Sequence, residues 1–129
     1  MRRDILRLAC VFLLLVCCGV VTAEGERTLR GRYVWTGSGE AGDLEAVFTA
    51  AGEGKWSVDF RFAHGGDPHV YSGTAEGSLT GGALQGKVSN EGGGRQFTFQ
   101  MKFEDGQFRG THAELKGDRE QPTGTLNLG

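Results

Sequence analysis

The chain has 129 residues, with 14 Lys and Arg against 16 Asp and Glu and a net charge of −2 at pH 7. That length suits a single domain. The acidic balance, with no basic stripe, excludes the electrostatic footprint of a nucleic-acid binder.

The first residues read as a leader. Arg2, Arg3 and Arg7 precede an apolar run from Ala9 to Val21, and Val21-Thr22-Ala23 then leads into acidic residues. This is the three-part layout of a secretory signal peptide with cleavage after Ala23. It divides the chain into a signal peptide, 1–23, and one domain, 24–129. The run is shorter than the roughly 20 residues that span a bilayer comfortably, so an uncleaved anchor is the lesser reading. A lipoprotein is another, although Val16 stands before Cys17 where lipid attachment takes a small residue. Cys10, Cys17 and Cys18 all lie in this leader. The exported domain is therefore expected to be secreted or periplasmic and free of disulfides. Core packing alone must hold it, although small exported domains often rely on disulfides.

From Thr28 onward apolar and polar residues alternate, and no stretch of ten or more residues keeps helical spacing. Eight strands are predicted, over 28–36, 43–50, 55–63, 69–79, 83–90, 95–104, 107–115 and 123–128. In the third, Trp56, Val58, Phe60 and Phe62 share one face and Ser57, Asp59 and Arg61 the other. The sixth repeats the pattern with Phe97, Phe99, Met101 and Phe103. Each reads as a strand with one buried and one wet face. The turns AGEG, HGGDP, TGG, EGGG and EDG are short and glycine-rich, so consecutive strands should be antiparallel neighbours. Only KGDREQP, before the last strand, reads as a longer connection.

Directly opposed residues share a face. A two-residue turn at Gly81-Gly82 pairs Leu79 with Leu84, Gly77 with Gly86 and Ala75 with Val88. Pairing Phe62 with Tyr71 through HGGDPH sets Phe60 opposite Gly73 and Trp56 opposite Gly77, and a four-residue loop after Asn90 sets Phe99 opposite Gly86. Rings beside strand glycines are the aromatic-rescue pattern of a strongly curved sheet. GTAEGSLTGGALQG therefore reads as a tight hairpin, not a linker. A curved meander avoids open edges by closing on itself. The expected fold is all-β, a small up-and-down antiparallel β-barrel of about eight strands. A two-sheet β-sandwich is the alternative, because the pattern does not reveal whether TGTLNL pairs with TLRGRYVW.

At LRGRYVWTG the chain resembles the first strand of the lipocalin and avidin superfamily, whose members carry a Gly-x-Trp near the barrel entrance. The spacing of Gly31, Tyr33 and Trp35 departs from that motif. The resemblance implies a ligand-binding barrel without naming a ligand, and it transfers no binding residue.

Across FEDGQF, pairing Phe103 with Phe108 puts Phe99 opposite His112 and Phe97 opposite Glu114. A histidine and a carboxylate on a core face need partners: each other, water or a ligand. A bulge after Gly110 would instead swap the faces. His64, Asp67 and His69 in HGGDPH are zinc-compatible ligand types, but they match no defined spacing and no fourth ligand joins them. Neither a metal nor another cofactor is expected. No serine sits in a strand-turn-helix elbow and the exported domain holds no cysteine, so an enzyme is not expected.

Ligand sites favour barrel mouths lined by aromatics with a few polar groups. The candidates are Tyr33, Trp35, Trp56, Tyr71, His112 and Glu114. The expected function is an exported, non-enzymatic barrel that binds a small or extended ligand at its mouth. One alternative is a solid-core interaction or inhibitor domain whose partner is an exported protein. Another is a small outer-membrane barrel with Phe97, Phe99, Met101 and Phe103 facing lipid. Strands of about 8 or 9 residues are at the short end for that role, and no stable membrane insertion is expected once the leader is removed.

Overall fold

The computed structural model describes residues 25–129, so the leader, its cysteines and the expected cleavage site lie outside the described residues. Eight strands follow one another: β1 (Glu26–Trp35), β2 (Ala41–Gly52), β3 (Lys55–His64), β4 (Asp67–Gly77), β5 (Ala83–Asn90), β6 (Gln96–Glu104), β7 (Gln107–Lys116) and β8 (Arg119–Leu128). Each pairs antiparallel with the next, and β8 returns to β1 from Gly31 opposite Leu128 to Trp35 opposite Gly124. The sheet is a closed barrel, which excludes the sandwich. Closure leaves no unpaired edge to aggregate.

Alternation sorts the side chains. Phe48, Val58, Leu84, Phe99, Met101, Phe108 and Leu128 are fully buried inside. The outer face carries ion pairs such as Arg30 with Glu45 at 3.0 Å and Arg32 with Asp43 at 2.8 Å. This corrects the lipid-facing alternative, since Phe97, Phe99 and Met101 are buried within the barrel and only Phe103, next to the β6–β7 turn, is exposed. Burying apolar rings inside while charges meet water is the arrangement that the hydrophobic effect favours in water.

The register agrees with the sequence expectation across β5, β6 and β7, where Gly86 faces Phe99, Phe99 faces His112 and Phe97 faces Glu114. It differs by two residues on either side of β4. Phe60 faces Tyr71, Trp56 faces Ala75, and Gly77 faces Leu84. Two local causes account for this. Gly65 and Gly66, with φ of +64° and +87°, make the β3–β4 connection a two-residue turn that sets His64 opposite Asp67. At the opposite end β4 stops at Gly77, and Leu79 leaves the ladder to be buried in the core. A shift of two keeps every side chain on its face, so the inner and outer sets survive. Of the three expected ring-glycine pairs only Phe99 with Gly86 forms.

The β7–β8 connection is also tighter than expected. It turns through Gly117-Asp118, with Lys116 opposite Arg119, so KGDREQP is mostly strand. The irregularity falls farther along, between His112 opposite Gly124 and Ala113 opposite Pro122, leaving Thr123 as the extra residue of a bulge.

The two ends of the barrel differ. Toward the β2–β3, β4–β5 and β6–β7 turns the interior is solid with Phe48, Leu79, Leu84, Met101, Phe108 and Leu128. Toward the β1–β2, β3–β4 and β5–β6 connections the inner residues are Tyr33, Trp35, Phe62, Tyr71 and Phe97, larger and less covered.

Candidate functional site

Between those rings lies a cavity of about 420 Å³ at the mouth. Seven of its lining residues are Phe, Tyr or Trp: Tyr33, Trp35, Phe60, Phe62, Tyr71, Phe97 and Phe99. Strand pleating aims them inward at alternate positions of β1, β3, β4 and β6. They touch in a chain. Tyr33 and Phe62 have ring centroids 5.3 Å apart, Phe62 and Tyr71 5.6 Å, Tyr71 and Phe97 5.6 Å, and Phe97 and Trp35 5.6 Å. Most of these contacts are edge-to-face, the geometry that ring quadrupoles favour. Phe60 and Phe99, 5.0 Å apart, lie deeper, next to the solid half.

His112 reaches the cavity from β7. Its Nε2 lies 3.0 Å from the Val34 carbonyl oxygen and its Nδ1 2.6 Å from the Thr123 hydroxyl. A carbonyl only accepts, so Nε2 carries the proton and Nδ1 of the neutral ring is an acceptor, competing with the His112 carbonyl oxygen, 3.1 Å from the hydroxyl, for the one Thr123 proton. The bulge in β8 is what aims Thr123 at the ring. Gly124 leaves room for it, because a Cβ there would come within 2.7 Å of His112 Nε2. Burial pushes the His112 pKa below the ordinary histidine value, partly offset by the bond to Val34. The ring also packs edge-on against Trp35, 5.3 Å away.

Glu114 is buried on the same face but meets Arg95 rather than His112. Arg95 Nε donates to one carboxylate oxygen at 2.9 Å and Nη2 to the other at 3.0 Å. This fork is the strongest geometry available to the pair, and it holds the Glu114 carboxyl below the usual carboxylate range, as it holds Arg95 above its own. Lys116 Nζ lies 3.7 Å from the same carboxylate. The guanidinium carbon sits 5.2 Å from the Phe97 ring centre and 5.8 Å from that of Trp35, within cation–π range. Arg95 itself is pinned by the β5–β6 loop, where its backbone N–H donates to Asn90 Oδ1 at 2.9 Å.

Of the residues singled out from the sequence, Tyr33, Trp35, Tyr71 and His112 line the cavity together. Glu114 stands behind the lining and orients Arg95. Trp56 does not join them. It is the second residue of β3, at the solid end, where its indole Nε1–H donates to the Gly77 carbonyl at 3.1 Å. His64 and His69 stand at the rim, ring centroids 6.1 Å apart, and His69 stacks on Phe62. The described residues hold no group of three His, Cys, Asp or Glu placed to bind a metal ion. Tyr33 has its phenol pKa raised, chiefly by burial and then by the charge of Glu40 at the rim, against the opposing charge of Arg32.

Arg95 is the residue that sequence reasoning missed. The signal was present, because Arg95 precedes Phe97 by two positions and so shares its inward face.

No family model matches the chain, and no curated protein matches it. Among solved structures the chain is similar to a redesigned β-barrel, with a TM-score of 0.60 and 16% identity over 77% of this chain and 86% of that one. At that identity the likeness concerns the fold alone.

Proposed function

We propose that the protein is an exported, non-enzymatic β-barrel that binds a small ligand in the aromatic cavity at its mouth. The observation that carries this reading is the contrast between the two ends, one solid with aliphatic and aromatic side chains and the other opening into about 420 Å³. That volume lies within the range of small-molecule sites, and an apolar lining with a few placed polar groups is their usual composition. His112 is already engaged by Val34 and Thr123, and Glu114, behind the lining, by Arg95. Such engagement suits shaping a pocket more than moving protons. Export rests on the leader, whose layout is that of a signal peptide.

Binding of the neutral fluorescent probe N-phenyl-1-naphthylamine tests the reading. Saturable binding with one site per chain is expected. Trp35→Leu should weaken it by about tenfold or more, as removal of a central aromatic contact does, while Trp56→Leu at the solid end should leave it unchanged. Absence of saturable binding, or equal effects of the two substitutions, would remove the cavity from the function.

A further inference from the structure

Resting on that reading, we propose that the ligand is a compact, flat aromatic molecule with one negatively charged group, its ring held by Trp35, Phe97 and Tyr71 and its charge by Arg95 and the Tyr71 hydroxyl. Three features of the cavity converge on this class.

Its walls favour a flat ring. Trp35 meets Phe97 at 75° and Tyr71 meets Phe97 at 63°. A guest inserted among rings so arranged can take one face and one edge at once, the combination an aromatic guest satisfies and a saturated one does not. Its depth excludes a long chain, because Phe60 and Phe99 close the floor and the interior beyond is solid. An extended ligand would have no channel to enter.

Its polar end suits an anion. Glu114 occupies Arg95 Nε and Nη2, which leaves Nη1 of the fork free of that carboxylate. The carboxylate is the buried partner, with 11% of its side chain exposed against 48% for Arg95, so the guanidinium stands on the open side. It lines the cavity together with Tyr71. Both pack on Phe97, Tyr71 with its ring centroid 5.6 Å away and Arg95 with its guanidinium carbon 5.2 Å from the ring centre. One carboxylate is also shared by two cations, since Lys116 reaches Glu114 as well. The cluster therefore keeps one positive charge in surplus although the chain as a whole is acidic. A guanidinium held flat by a buried carboxylate is pre-organised to bind a second anion. Glu40 also lines the cavity and opposes a second negative group on the ligand.

Calorimetric titration with a matched pair, 2-naphthoate and 2-naphthalenemethanol, separates this proposal from the one beneath it. The purified protein should bind naphthoate about tenfold or more tightly than the alcohol, the scale of a charge-assisted hydrogen bond. Raising salt from about 50 to about 500 mM should weaken naphthoate severalfold and spare the alcohol. The double substitution Arg95→Gln with Glu114→Gln exchanges the ion pair for two amides and strands no buried charge, because Lys116, 59% exposed, keeps its charge in water. It should bring the two affinities within about twofold by lowering that of naphthoate, and Tyr71→Phe should lower naphthoate alone. Equal affinities in the parent protein, or a preference insensitive to salt, overturn the anion proposal while leaving the pocket reading intact. So does a preference that survives in the double variant. Binding of neither probe overturns both.

Discussion

His112 and Glu114 share the inner face of β7, yet each is satisfied by a different neighbour. That both needed partners was legible from the sequence, because a buried polar group left alone is costly. Which partners was not. Thr123 reaches His112 only through a bulge that no alternation pattern announces, and Arg95, whose parity with Phe97 places it inside, stands at the edge of the predicted sixth strand, where alternation carries least weight. The network makes stability depend on pH with a definite sign. The His112 pKa is lowered in the folded protein, so the unfolded chain binds the extra proton more readily near and below the ordinary value of about 6.5. The stabilisation is complete above that value and is lost as pH falls from it toward the folded pKa. Glu114, also depressed, adds a separate loss at lower pH, below the ordinary glutamate value of about 4.3. Urea unfolding should show stability declining from about pH 7.5 to about 5.5. His112→Gln, whose amide can still donate to Val34 and accept from Thr123, should lose under about 1.5 kcal/mol at neutral pH and flatten that decline. A decline of equal slope in the variant would show that another group governs this window.

At the scale of elements, the strands and their inner faces were readable from period-two alternation, and so was the register across β5, β6 and β7, where EGGG and EDG turns are flanked by unambiguous phenylalanines. The register beside β4 was not, because the glycines on each side of it allow turns of more than one length. HGGDPH contains the tight turn at Gly65-Gly66, whereas TGG, which also looked tight, belongs to a longer connection. Burial of Leu79 supplies the reason, since covering a leucine fully contributes about 1.5–3 kcal/mol and a shift of two costs no change of face. The glycines of β4 and β5 then acquire a different meaning. A Cβ on Gly73 would overlap the Lys87 carbonyl oxygen, and one on Gly86 would come within 2.7 Å of the Phe99 ring and 2.9 Å of Ala75 Cα. They mark backbone approach in a curved sheet. Gly86→Ala should therefore lose about 1–3 kcal/mol through overpacking. Gly94→Ala, with nothing near its Cβ and φ of −69°, should stay within about 0.5 kcal/mol of the parent. Chemical denaturation compares them, and equal midpoints would contradict the tight packing at Gly86.

Taken whole, the barrel is divided between an end that holds the fold and an end that leaves space. The closed end interlocks Leu79, Leu84, Met101 and Leu128 with the rings of Phe48 and Phe108, all buried, while at the open end Trp35, Phe62 and Tyr71 are only partly buried around the cavity. Stability and binding should then respond to substitution at different places. Leu79 is 3% exposed and takes no part in the cavity lining, so Leu79→Ala should cost about 2–4 kcal/mol and leave the affinity for N-phenyl-1-naphthylamine as it was, measured well below the melting temperature. Phe62 is only partly buried and stands at the centre of the ring chain, touching Tyr33, His69 and Tyr71. Its replacement by alanine should cost less than the roughly 3–5 kcal/mol of a fully buried phenylalanine, yet weaken the probe by about tenfold or more. Thermal melts and probe titrations on the same two variants decide the matter. If Leu79→Ala weakens the probe as much as Phe62→Ala does, packing at the closed end sets the shape of the mouth, and the two halves of this barrel are one mechanical unit.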